Sequence, residues 1–121
     1  MLYIIRGLPG SGKTTLAHKL ANVVCEADQY MTDKHGNYAF DPKRLKACHD
    51  KCFSAVAAAL GDGQIVAVSN TFSQHWEYNR YVMLAMMLGV PFQIIVCQGN
   101  WGNIHNVPEE TIRAMRERWE H

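Results

Sequence analysis

The amino-acid sequence predicts an α/β fold, a three-layer arrangement with one parallel sheet and helices on both of its faces. Three observations lead there. Short apolar runs at 2–6, 23–26, 65–69 and 91–97 have strand length, and the stretches between them carry apolar residues at helical spacing. Strands that alternate with helices pair in parallel through right-handed crossovers. The 121 residues, 48% of them hydrophobic, suffice for one core, so a single domain over 1–121 is expected.

Taken in order, 2–6 reads as a short buried strand, and a glycine-rich turn leads from it into a helix over 13–22 with Leu16 and Leu20 on one face. A second strand follows at 23–26. The polar stretch 28–41, with Gly36-Asn37 inside it, reads as a loop or small hairpin. Asp41-Pro42 has the form of an N-cap followed by proline at the first helical position, and Leu45, Cys48, Cys52, Val56 and Leu60 then form one helical stripe that Gly61-Asp62-Gly63 ends. A third strand at 65–69, a helix over 74–88 stopped by Gly89, a fourth strand at 91–97 and a last helix over 108–120 complete the chain. The chain shows no repeat, low-complexity tract or interdomain linker. Ligands of such sheets gather at the carboxyl ends of the strands, where the glycine-rich turn, Asp28, Asn70 and the Gln98 region all fall.

Twelve Lys and Arg against eleven Asp and Glu leave a formal charge of +1, which excludes a globally basic surface for duplex nucleic acid and leaves room for a local groove. The apolar run at 2–6 is too short for a signal peptide or a membrane span, so a cytoplasmic protein without a membrane partner is expected. Cys25 and Cys97 lie in strand-like runs and Cys48 and Cys52 in a helical pattern, which fits reduced core thiols better than two disulfides.

The chemistry is carried by Gly7-Leu8-Pro9-Gly10-Ser11-Gly12-Lys13-Thr14, a P-loop that continues into Thr15. Glycines let backbone N–H groups curl around phosphates, Lys13 reaches the β and γ oxygens, and the Thr14 hydroxyl serves Mg²⁺. A strand before the loop and an amphipathic helix after it supply the context the motif needs. Phosphoryl transfer asks the protein to position an acceptor, neutralise charge and offer a base. Asp28, just after the second strand, is the candidate base beside Lys13.

With the P-loop, Asp28 and Ser69-Asn70-Thr71 in view, the chain resembles the polynucleotide 5′-hydroxyl kinase family of P-loop proteins, within the three-layer P-loop NTPase fold. It is most similar to the kinase-like domain of the Nedd-four-binding proteins, through 6–17, Asp28, Tyr38, Phe40, Asn70-Thr71, Trp76-Glu77, Asn103-Ile104-His105, Val107-Pro108, Met115 and Arg118-Trp119-Glu120. The resemblance implies an adenylate-kinase-like strand order, ATP or GTP as donor with Mg²⁺, and a hydroxyl acceptor, either the 5′ end of a single-stranded nucleic acid or a small molecule. It also implies that Asp28 is the general base, that Lys13 and Thr14 hold phosphate and metal, and that Asn70 and Thr71 face the substrate.

The sequence departs from that pattern in places. The family carries a lid arginine just before the asparagine matching Asn103, and here that position is Gly102, in a segment 98–102 several residues shorter than a lid helix needs. Lys34 or an arginine from a second subunit could stand in. Met31 occupies the place of an acceptor-binding arginine of phage-type enzymes, and Asn70 that of an aspartate. A nucleotide-binding module with little turnover is therefore the alternative to a kinase, and a nucleoside or metabolite kinase a third reading.

Other signals have plainer readings. Cys48, His49 and Cys52 lack a fourth zinc-spaced ligand and are expected in the core, as are Met83, Met86 and Met87 with Leu84 and Leu88. Arg113, Arg116 and Arg118 interleave with glutamates as on a solvated helix face, and Trp76 and Trp101 fall near the ligand edge, where a structural role outweighs base stacking.

Overall fold

The computed structural model describes residues 1–31, 35, 41–98 and 109–121. Four strands, β1 (Leu2–Gly7), β2 (Val23–Cys25), β3 (Val66–Asn70) and β4 (Phe92–Cys97), form one parallel sheet in the order β2-β3-β1-β4. Helices α1 (Lys13–Leu20), α2 (Leu45–Gly61), α3 (His75–Leu88) and α4 (Glu109–Glu117) accompany it.

Side-chain alternation along β1 divides the interior in two. Leu2 and Ile4 join Val66 and Val68 of β3 in the larger core, under Cys48, Cys52, Val56 and Leu60 of α2 and Tyr78, Tyr81 and Ala85 of α3. Ile5 and Ala67 point the other way and meet Ala17 of α1. All five residues of β3 are buried, as a central strand covered on both faces requires.

The expected boundaries hold with small shifts. Asp41 caps through its carboxylate, which accepts from the Lys43 N–H at 3.0 Å, and Pro42 follows it, but they open a 3₁₀ turn, Pro42–Arg44, that feeds α2. Leu45 is exposed, so the buried stripe of α2 begins at Cys48. Gly89 ends α3 at φ 67°. The four cysteines are free thiols. The stretch expected to be a loop from Asp28 instead begins with a 3₁₀ turn, Ala27–Tyr30; Gly36-Asn37 lies outside the described residues.

The methionine run corrects an expectation. Met83, Met86, Met87 and Leu88 are exposed, Met87 at 82%. The helix turns Tyr78, Tyr81 and Ala85 inward, and the two tyrosines pack edge-to-face against Phe72, filling the space above β1 that the methionines would need. Their side chains therefore fall on the opposite side of α3, together with Trp76. β4 is also open: Phe92, Ile94 and Val96 remain more than a third exposed at the sheet edge.

Candidate phosphate-binding site

The P-loop joins β1 to α1, and its glycines are fixed by geometry. A Cβ on Gly7 would run into Ser11 Oγ and come to 3.0 Å from the Cys97 carbonyl oxygen, so a side chain there would force its neighbours to shift. Gly12, the residue before α1, holds φ at 89°, in the left-handed region that favours glycine. The turn closes through the Ser11 N–H to the Leu8 carbonyl at 3.1 Å, and the Gly7 N–H is tied to Thr71 of the β3 end at 3.2 Å.

Three features leave this loop short of an anion. No side chain caps the N-terminus of α1 and its first turn holds no acid, so its backbone N–H groups and dipole are uncompensated. Ser11 Oγ is buried with no hydrogen-bond partner among the described residues. Lys13 rests its ammonium on the Leu8 carbonyl at 3.1 Å, and burial lowers its pKa against the opposing pull of Glu26, Asp28 and Cys97. A polyphosphate supplies what each of these lacks. Thr14 is half-buried in the first turn of α1, and Thr15 beside it is exposed.

Asp28 is exposed on the 3₁₀ turn that follows β2. That turn is held from both ends. Glu26 and Gln29 form a capping box across it, and the Ala27 N–H donates to Asn70 Oδ1 at 2.9 Å. The Asn70 amide nitrogen points to Cys52 Sγ at 3.9 Å, so the side chain joins β3 both to the turn that carries Asp28 and to α2. Met31, at the position where an acceptor-binding arginine was considered, is 1% exposed and packs its sulfur against Cys48.

On the other side of the loop lies a cavity of about 480 Å³. Leu8 and Ser11 of the P-loop, Cys97 at the end of β4 and Gln98 after it, and Arg116 and Trp119 from α4 and its tail line it. The tail is anchored by Arg6, 2% exposed on β1. Its guanidinium donates to the carbonyls of Phe72 at 2.9 Å, Ser73 and Glu120, and sits 4.8 Å from the Tyr78 ring centroid and 4.5 Å from that of Trp119.

Residues 2–106 match the family described as AAA domain. The chain belongs to that family. The AAA domain is 30% identical to human NEDD4-binding protein 2 over 138 aligned positions, a stretch longer than the 121-residue chain itself. The match takes in 99% of this chain and spans 8% of that relative's length. Among solved structures, Chaetomium thermophilum Kti12 in complex with ADP-AlF3 superposes with a TM-score of 0.71 at 17% identity, covering 100% of this chain and 81% of Kti12. A chain of the Pnkp1/Rnl/Hen1 complex gives 0.66 at 20% identity, covering 93% and 38%. These likenesses give the chain the P-loop kinase-like fold.

Within the AAA domain, the P-loop, Asp28, Asn70 and Thr71 come together at the carboxyl edge of the sheet. Lys34, Trp101 and Gly102 lie outside the described residues. Sequence reasoning missed Glu26, whose buried carboxylate is the first of the charges opposing the lowered pKa of Lys13; the Glu-x-x-Gln spacing of the capping box was its signal. It also missed Arg6, for which no local pattern exists because its partners are distant in sequence.

Proposed function

We propose that this chain is an ATP- or GTP-dependent phosphotransferase that moves the γ-phosphate to a hydroxyl, the 5′-OH of a polynucleotide being the acceptor of choice. The observation that carries the reading is that the uncapped N-terminus of α1, the unpartnered Ser11 Oγ and Lys13 stand at the same edge of the sheet as the turn that bears Asp28. Lys13 and the N–H groups of the loop bind the β and γ phosphates, and Asp28 takes the proton of the acceptor hydroxyl as its oxygen attacks. The Thr14 hydroxyl would hold Mg²⁺, which would supply charge neutralisation at the phosphates. Asn70 supports the reaction by fixing the turn of Asp28, and Thr71, next to it in the chain, is assigned to the acceptor.

The test is transfer of labelled γ-phosphate from ATP with Mg²⁺ to 5′-hydroxyl DNA and RNA oligonucleotides, with Lys13→Ala as control. Labelling that vanishes in the control supports the kinase. Calorimetric ATP binding with no labelling of any nucleic-acid, nucleoside or metabolite hydroxyl supports instead the module without turnover, a reading favoured by Gly102 and the short segment before it.

A further inference from the structure

Phosphoryl transfer leans on cationic groups around the transferring phosphate, and the sequence has Gly102 where the resembled family has its lid arginine. Lys13 is the P-loop cation. A second cation would complete the site.

We propose that Arg116 of α4 is that second cation, directed at the polyphosphate of the donor from the cavity beside the P-loop; the inference rests on the kinase reading above. Four observations carry it. Arg116 lines the same cavity as Leu8, Pro9 and Ser11 of the loop. None of the described residues lining that cavity has an acidic side chain, and His121 adds a second nitrogen-bearing group, so the walls suit an anion. The Arg116 guanidinium makes no hydrogen bond or ion pair among the described residues, whereas the neighbouring cations are engaged: Arg118 donates to Ser73 Oγ at 2.9 Å and Arg6 to three carbonyls. Finally, the helix end that bears it is fixed in place. Ile112 is buried, the Glu120 N–H donates to the Ser73 carbonyl at 2.6 Å, a Glu120 carboxylate oxygen accepts from the His75 N–H at 3.1 Å, and Trp119 lies on Arg6.

A planar guanidinium on an anchored helix binds phosphate through paired N–H donors and keeps its charge at every working pH. Because Arg116 is exposed, its removal leaves the fold intact, which separates its role from that of buried Arg6. Arg113, also exposed on α4 but away from the cavity, is the control for general surface charge.

The experiment measures ATP and ADP affinity by calorimetry and γ-phosphate transfer for the wild-type chain, Arg116→Ala, Arg116→Lys, Arg113→Ala and Lys13→Ala. Arg116→Ala is expected to weaken ATP binding roughly tenfold, and ADP binding less, with a larger loss in transfer; Arg116→Lys recovers part of both, and Arg113→Ala changes neither. Wild-type ATP affinity and transfer in Arg116→Ala, with Lys13→Ala silent, overturn the role of Arg116 while the kinase reading stands. An equal loss in Arg113→Ala overturns it too, by reducing the effect to net charge. A wild-type chain that neither binds ATP nor transfers phosphate overturns both.

Discussion

At the scale of single residues, the site joins a cation kept from water to a carboxylate left in it. Burial lowers the pKa of Lys13 because no full counter-charge reaches it, so the nucleotide-free protein carries a cost at this position. Lys13→Met keeps the length and removes the charge. It is expected to stabilise the nucleotide-free protein by about 1 kcal/mol and to abolish the rise in melting temperature that ATP gives the wild type; a Lys13→Met protein that melts lower than wild type contradicts this account. Asp28 makes the complementary case. Asp28→Asn should leave ATP affinity within about twofold and reduce transfer by ~10²-fold or more, measured as single-turnover rate. Every residue of the P-loop was legible in the sequence, because a phosphate loop demands glycine, lysine and hydroxyl at fixed offsets. The roles of Asn70 and Met31 were not. Asn70 stands at the ligand edge while its side chain holds Ala27 and Cys52, and Met31, in the place of an acceptor-binding arginine, is core. Side-chain destination depends on what the neighbouring elements leave empty, and one sequence does not list that.

Among the elements, α1 and α2 kept to their patterns and α3 did not. A run of methionines and leucines carries no period of its own, so the two tyrosines and Ala85 decided which way the helix turned. Met83→Gln and Met87→Gln should each change unfolding free energy by less than about 0.5 kcal/mol, whereas Tyr81→Ala should cost roughly 3–5 kcal/mol in the same urea titration. Comparable losses in all three would return the methionines to the core. Helix α2 carries a pH dependence. Burial, and then the Arg80 cation, lower the pKa of His49 below 6.5, with Glu77, Asp28 and Asp50 opposing. The unfolded chain therefore takes up this proton first as pH falls. The stability contributed by neutral His49 is present above pH 6.5 and is lost as pH drops below it toward the lower folded value, at no more than about 1.4 kcal/mol per pH unit. His49→Gln should flatten the stability profile between pH 7 and 5, and an unchanged slope assigns it to other groups. Asp50, held below the usual carboxylate range by hydrogen bonds from Lys46 and Arg80, acts only at more acid pH and leaves that window clear.

For the whole molecule, the layer order, the parallel sheet and the edge that collects the site could all be read from alternating strand and helix, since right-handed parallel crossovers leave few arrangements. The closing contact could not be read. Arg6 and Glu120 stand 114 positions apart, and nothing local to either announces the other. That separation has a temporal consequence. A ribosome delivers Arg6 with the first strand and Glu120 only when almost all of this chain has followed, so through synthesis the strand that leads into the P-loop carries a guanidinium lacking one of its carbonyls and its Trp119 plate. The strand made first thus waits for Trp119 and Glu120 before the surroundings of its buried guanidinium are complete.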